Sequence, residues 1–378
     1  MRRTPSSARE QCVAAFLSDK LACRLGQRGM LPSSPYSVVM LFAYTAITHG
    51  NMSVAMPADL IGQRIKLQHL KIVRAVADWG SMAKAAKHLA ISQPVVSKVV
   101  ADLEDMLGVR LFDRSPQGVE PTAYGRALLR RCITIFDDLR TSVDEIKFMA
   151  DPTAGELRLG STEPLLAGLG RAVMERLWQR YPRIDFRIVE ADSATLLARD
   201  LPERRIELAL VPLIGSTVRP ELEVTVLFED RLRVIAGAKS RFAARRRVAL
   251  ADLVDEAWCI APSAVGSLMA DAFRAEGVTM PRVALTTTDA HLLFRLVESG
   301  RFVGHFGDGL LHFYEDRFAL KRLPVTLAIP PFAVAVIALR NRTISPVAQL
   351  FIDCAREVAR PLAKPHPPTR RAGAPVPL

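Results

Sequence analysis

Apolar residues begin to recur at helical spacing near Ile65. Leu67, Leu70, Val73 and Val76-Ala77 make one face, and Gly80 ends the segment. Ser81 is placed to cap a second helix over Met82–Leu89, and a tight turn follows at Ala90-Ile91. Ser92 caps a third helix, with Pro94 in its first turn, where a missing N–H costs nothing. That helix runs to about Leu107 and stops at Gly108. Val96, Val100, Leu103 and Leu107, spaced 4, 3 and 4, should bury, leaving Gln93, Ser97 and Lys98 off the stripe near the amino end. Two short helices joined by a tight turn make a helix-turn-helix. Residues 110–112 and 118–120 read as a two-stranded wing about the turn Ser115-Pro116-Gln117-Gly118. One long helix over 121–150 follows, with Thr122 as its cap. In it Leu129, Cys132, Phe136, Leu139, Val143 and Ile146 fall at spacings 3, 4, 3, 4, 3, an a/d seam suited to a dimer interface.

Residues 151–155 (Asp-Pro-Thr-Ala-Gly) read as a linker, and beyond it strands and helices alternate. Strands are expected at 156–160, 184–190, 208–211, 227–237, 257–261, 282–286, 302–305 and Phe332–Leu339. Helices are expected at 165–180, 193–201, 266–276, Ala290–Glu298 and 345–360. This is α/β patterning with mainly parallel sheets, in two lobes joined by two crossing segments. One lobe takes 155–230 and 332–362, the other 231–331, with a cleft between them that receives strand ends and helix starts. The DNA-binding type of unit occupies 63–120 and the dimerising helix 121–150. Residues 1–62 lack a sustained period and read as a poorly ordered extension, with Met52 and Met56 as plausible alternative starts. Residues 363–378, rich in Pro and basic groups, read as a disordered tail.

Composition narrows the chemistry. The 378 residues are 49% hydrophobic and 24% charged, which excludes wholesale disorder, and 6% aromatic, which disfavours a stacking surface for single strands. The net charge of +12 is concentrated in the N-terminal third and the extreme C-terminus, a hint of a polyanionic partner. Cysteines at 12, 23, 132, 259 and 354 include no C-x-x-C pair, so a disulfide scaffold or zinc finger is disfavoured and a reducing cytoplasm fits. The apolar run 36–47 is too short to span a membrane, and no membrane partner is expected. Gly168-Leu169-Gly170 lies inside a helical pattern and is not a dinucleotide fingerprint; no P-loop, metal-spaced His/Cys set or nucleophilic triad is present. No catalytic residue, metal or cofactor is therefore assigned. On the third helix, Gln93 suits adenine, Lys98 suits guanine, and Ser97 suits a base or a phosphate; Arg114 on the wing suits phosphate or the minor groove.

The run Gly80-Ser81-Met82-Ala83-Lys84-Ala85-Ala86-Lys87-His88-Leu89, with Ile91-Ser92-Gln93-Pro94-Val95-Val96-Ser97-Lys98 and 107–114 (LGVRLFDR), resembles the LysR-type transcriptional regulators. Pro121-Thr122-Ala123-Tyr124-Gly125 and Ser299-Gly300-Arg301-Phe302-Val303-Gly304 are similar to further family segments, so the resemblance covers about 65–360. It implies a winged helix-turn-helix, a dimerising linker helix and a two-lobed effector domain like a periplasmic binding protein. It further implies a homotetramer (a dimer of dimers) on double-stranded DNA at an imperfect palindrome, activating through RNA polymerase when a small co-inducer fills the cleft. By position, Ser81, Gln93, Pro94, Ser97 and Lys98 would contact DNA, with Arg114 beside them; Lys98 stands where the family more often has Arg, turning a bidentate contact into a point charge. The family's effector positions fall on Ser161, Thr162, Ser193, Thr195, Ser263 and Thr288, at helix starts suited to an anion. Glu163 departs from that pattern and would favour a neutral or hydroxyl-rich ligand over a carboxylate. The opening 65–70 resembles the branch regulating sugar-uptake or aromatic-acid genes, which implies a sugar or small organic acid. Two other readings stay open: a thiol-based redox sensor on the same scaffold, and a ligand-binding protein without DNA function.

Overall fold

The computed structural model describes residues 65–116, 118–215, 219–262 and 264–363. The expectations for 1–62, for Ser263 and for most of the 363–378 tail lie outside the described residues. The described residues from Gln68 onward form one compact unit.

Helix α1 (Leu67–Trp79) buries Leu70, Ile72, Val73, Ala75 and Val76. The expected stripe is rotated: Leu67 is 46% exposed, and Ile72 and Ala75 take the inner positions. Helix α2 (Met82–Leu89) starts on Ser81, whose Oγ accepts from Lys84 N, and ends on Ala90 in the left-handed region at φ +53°. Helix α3 (Gln93–Leu107) begins after Ser92, which sits at the cap position without a side-chain cap bond, and ends on Gly108 at φ +67°. Val96, Val100 and Leu103 are its buried face, while Leu107 is only half-buried.

The wing is β1 (Phe112–Ser115) against β2 (Gly118–Pro121), antiparallel with Phe112 opposite Pro121. Its first strand starts two residues later than the pattern 110–112 implies. Glu104 explains this: its Oε1 accepts from Leu111 N at 2.7 Å and Phe112 N at 3.1 Å, tying the approach to α3. The other strand is tied to the end of α1 by Val119 N donating to Gly80 O at 2.9 Å.

Helix α4 (Ala123–Ala150) is 28 residues long. Thr122 Oγ1 accepts from Gly125 N and donates to Arg110 O. A Cβ on Gly125 would lie 2.0 Å from Leu111 O, so only glycine lets the helix start this close to the wing. Its apolar positions divide in two. Cys132 is fully buried within the chain and cannot face a partner, which corrects its place in the seam. Leu129 and Phe136 are half-buried, and Leu139, Val143 and Ile146 are exposed, with Ile135 and Met149 extending the open stripe.

Two α/β lobes follow. Strand β3 (Ala154–Ser161) begins inside the expected linker, because Ala154 and Gly155 already pair with Arg183 and Ile184. Helical segment α5 consists of Glu163–Leu165, a π turn at Leu166–Gly170 and Arg171–Arg180. Strand β4 (Arg183–Glu190) leads to α6, made of Ser193–Thr195 and a π turn at Leu196–Asp200, and then to β5 (Leu208–Leu213) and β6 (Leu222–Asp230). The chain crosses at Arg231 into β7 (Leu232–Gly237), β8 (Ala257–Ile260), α7 (Ala264–Ala275), β9 (Val283–Thr286) and α8 (Ala290–Glu298). Then come β10 (Phe302–Gly307), α9 (Asp308–Leu311) and β11 (Leu320–Arg322), before a return to β12 (Phe332–Leu339) and α10 (Pro346–Ala359).

The sheets run β4-β3-β5-β12-β6 and β11-β7-β10-β8-β9. They are mixed rather than mainly parallel. Strands β12 and β7 come in from the other lobe and enter antiparallel to their neighbours, while the βαβ pairs β3–β4, β3–β5, β8–β9 and β8–β10 are parallel. The first lobe buries Leu157, Leu159, Leu208, Val334 and Phe351, and the second buries Trp258, Phe273 and Val303. Among the described residues no helix is long and apolar enough to cross a membrane.

Candidate functional site

Two regions carry polar side chains that the fold leaves unused. The first is the amino end of α3. Gln93, Pro94 and Lys98 are exposed there, Ser97 is half-buried, and the exposed Val95 stands among them. On β1, Arg114 is exposed opposite Val119. Among the described residues, none of the side chains of Gln93, Ser97, Lys98 or Arg114 has an intrachain hydrogen bond or ion pair. Ser81 differs, because its hydroxyl already serves as the α2 cap at 3.4 Å from Lys84 N. The helix is held by its opposite face, so its polar end is presented outward without strain on the core.

The second region lies between the lobes, a cavity of about 660 Å³. This is within the usual range of about 300–1,000 Å³ for small-molecule sites. Of the six effector positions expected from the sequence, Thr162, Ser193 and Thr288 line it. Ser161 does not: it is fully buried, with Oγ donating to Leu210 O at 2.9 Å, and it secures β3 to β5. Thr195 is also off the cavity, spending its hydroxyl on Asp192 Oδ2 at 2.6 Å. Ser263 lies outside the described residues. Ser193 Oγ reaches Pro212 O at 3.3 Å.

The rest of the lining escaped the sequence reading. Glu190, Asp192, Asp289 and His305 join Glu163 around the cavity, and Leu232, Leu293, Phe306, Leu310 and Phe332 form its apolar wall. The signal that could have found them was position: Glu190 ends β4, Asp192 and Asp289 precede helices, and His305 is near the end of β10, where open α/β sheets present their ligands. Glu163 Oε2 accepts from Ala290 N at 2.9 Å, so the carboxylate of one lobe caps the first turn of a helix in the other. Burial raises the Glu163 pKa and the Ala290 N–H opposes this, while the nearby Asp289 and Glu190 charges add to the rise. The Thr195 hydroxyl and N–H hold Asp192 below the ordinary carboxylate value. Burial takes His305 down to about 4, so it is neutral at physiological pH.

Beneath the cavity Phe294 stacks edge-on with Phe306 at 4.6 Å and with Tyr314 at 4.9 Å. Tyr314 Oη donates to Pro164 O at 2.9 Å, a second link between the lobes. Among the described residues, no group of three or more His, Cys, Asp or Glu could hold a metal ion. Cys132, Cys259 and Cys354 are buried, and burial raises each thiol, Cys132 to about 11. A reactive thiol needs the opposite setting.

Comparison with known proteins fits this architecture. A family model described as the LysR substrate binding domain matches residues 150–360, and one for bacterial regulatory helix-turn-helix proteins of the lysR family matches 67–126. The HTH-type transcriptional regulator GbpR of Azospirillum brasilense is 26% identical over 317 residues, 80% of this chain and 91% of its own. A full-length OxyR variant from Pseudomonas aeruginosa superposes with a TM-score of 0.57 at 18% identity, covering 79% of this chain and 98% of its own. Full-length CbnR in complex with its target DNA gives 0.54 at 21% identity, covering 78% and 100%. At such identities the two structures speak for the fold alone.

Proposed function

Because the chain belongs to the LysR family of bacterial helix-turn-helix regulators, we propose that α3 reads an operator in duplex DNA under the control of a small molecule in the interlobe cleft. The chain is a DNA-binding transcriptional regulator of the LysR type. The observation that carries the DNA-reading proposal is the unpartnered amino end of α3, set opposite a buried Val96-Val100-Leu103 face. In this reading Gln93, Ser97 and Lys98 meet base edges, Pro94 fits the first turn against the groove, and Ser81 and Arg114 meet the backbone. The exposed Val95 suits a thymine methyl.

The exposed stripe on α4 supports dimerisation, and a tetramer on an imperfect palindrome would set two such dimers on DNA, acting in the cytoplasm and communicating with RNA polymerase. Of a sugar and a small organic acid as co-inducer, the acidic lining favours the hydroxyl-rich class. The buried cysteines lend no support to a redox sensor.

The test is fluorescence anisotropy on the intergenic DNA upstream of the protein's own gene, with a salt series. Lys98→Ala should weaken binding by about 1–3 kcal/mol and relax the preference at one base pair if Lys98 reads a base. A uniform loss, with the salt slope reduced by about one, makes it a phosphate contact. No sequence-specific binding by the wild type, or equal binding by the variant, refutes the placement of α3.

A further inference from the structure

The cleft has a sign, and it is negative. We propose that it takes a small organic cation, a protonated amine that also carries a hydrogen-bond acceptor. This rests on the cleft being the co-inducer site. Glu163, Glu190, Asp192 and Asp289 all line the cavity, and among the described residues no Lys or Arg does. Elsewhere the chain pairs its acids freely: Asp137, Asp200, Asp308 and Glu357 all meet guanidinium groups. None of the four cleft carboxylates does so. Glu190 goes further, its side chain having no hydrogen bond or ion pair among the described residues. Four carboxylates line one space; burial and the charges of Asp289 and Glu190 raise the half-buried Glu163, and a bound cation would offset that crowding.

An anionic ligand would normally use the helix starts that open into such a cleft. Here the protein's own carboxylates already hold two of them, the starts of α6 and α8. Asp192 Oδ1 accepts from Thr195 N at 2.9 Å, Asp289 Oδ1 accepts from Leu292 N at 2.9 Å, and Glu163 Oε2 takes Ala290 N at 2.9 Å. A carboxylate ligand would therefore meet donors already taken at the starts of α6 and α8 and four like charges, with no basic side chain among the described lining residues to offset them. A metal ion is equally unsupported, since no three ligating side chains are grouped among the described residues.

A second, independent observation points to the acceptor. His305 lines the cavity and is 2% exposed. Its Nε2 accepts from Ala261 N at 3.4 Å, which assigns the single proton of the neutral ring to Nδ1. That Nδ1 is buried and has no partner. A buried N–H left over beside a cavity is a request for an acceptor, and burial keeps the ring neutral so that it adds no positive charge of its own. With a small turn of the ring toward the cavity, a hydroxyl, ether or carbonyl oxygen on the ligand would meet it, the amine would sit among the carboxylates, and a short carbon frame would lie on Leu232, Leu293 and Phe332.

The experiment is calorimetric titration of the full chain at neutral pH with three matched sets of probes. These are glucosamine, glucose and glucuronate; ethanolamine, ethylene glycol and glycolate; 4-amino-1-butanol, 1,4-butanediol and 4-hydroxybutyrate. DNA affinity is measured in the same samples. At least one amine should bind tenfold or more tighter than its uncharged and acidic counterparts. Glu190→Gln should cost that amine at least tenfold in affinity; Glu190 is exposed on the cleft wall, so the change removes charge without touching the core. Raising salt should weaken the amine more than the uncharged probe. Binding of an acid or uncharged probe as tightly as its amine, or binding of no amine, overturns the proposal. If such an acid or sugar also changes DNA affinity, the ligand-controlled regulator survives while the cation is lost. An amine that binds without altering DNA affinity supports the site and removes its regulatory role.

Discussion

The contact most open to a quantitative test joins α4 to the first lobe. Asp137 is on α4 and is 4% exposed. Its Oδ1 accepts from Arg158 at 2.9 Å and Arg342 at 2.8 Å, and its Oδ2 from Arg204 at 2.8 Å. Arg204 also reaches Asp138, which is largely exposed, and Glu207 holds Ser345 next to Arg342. Burial pushes the Asp137 carboxyl upward, but the Arg342 charge and the hydrogen bonds from Arg158 and Arg204 outweigh it, and its pKa ends below the ordinary value. Asp137→Asn keeps the shape and removes the charge, leaving three guanidiniums crowded with one neutral amide. Breaking a buried pair from one side costs about 3–5 kcal/mol. With a urea slope of about 2 kcal/mol per M, the midpoint should fall by about 2 M.

Trp178 is on α5 of the first lobe, so its fluorescence during urea unfolding reads the affected part. The pH dependence adds an internal check. A carboxyl with a depressed folded pKa stabilises fully above its unfolded value of about 3.9, and that contribution is lost as pH falls through the folded value. The gap between wild type and Asp137→Asn should therefore be constant from about pH 5 to 8 and close in acid. A difference below about 1 kcal/mol at pH 7, or one that persists unchanged to pH 2, would mean the arginines are satisfied without Asp137 and the reasoning is wrong.

Glu104→Ala should strip two buried amides of their acceptor at a cost of about 1–3 kcal/mol each, while Glu104→Gln retains an acceptor and loses less; hydrogen exchange at Leu111 and Phe112 reads this directly. Gly125→Ala should press a methyl into Leu111 O, a backbone atom that cannot rotate away, and lower the melting temperature of the DNA-binding end by several degrees for about 1–3 kcal/mol. Leu139→Glu combined with Ile146→Glu alters side chains that are 41% and 66% exposed in the single chain. Sedimentation should show smaller assemblies with little change in the melting of the lobes, whereas an unchanged mass would move the interface elsewhere.

The sequence was most legible where cap and period agree. The bounds of Met82–Leu89, Ala290–Glu298 and Phe332–Leu339 are those the pattern implied, because each carries either a helix cap or an unbroken apolar run. It was less legible where elements are short or at an edge. Strand β11, helix α9 and the first half of β6 had no pattern of their own, and β6 lies at the edge of its sheet with Val226 53% exposed. Helix α4 went partly astray for a geometric reason. A straight helix drifts by about 20° per heptad from a 3.5-residue repeat, so a seam read over two and a half heptads does not keep one direction. Its early member Cys132 turns inward, its later members stay outside, and Asp137 and Thr141, which look like surface in the sequence, are the buried positions.

The cleft raises a deeper difficulty. Each of its carboxylates reads locally as something ordinary: Asp192 and Asp289 are helix caps, Glu190 is the last residue of a strand, and Glu163 opens a helix. Charge sign in a cavity is a sum over loops that are far apart in sequence, here from about 163 to 305, and no local pattern contains that sum. Only Glu163 stood out in advance, because it occupies a position where an anion was expected. Its carboxylate accepts from Ala290 N, and under the proposal above it takes a donor that an acidic ligand could otherwise use. On that proposal, one carboxylate at a helix start works against acidic ligands, while the other three carboxylates select the class that binds instead.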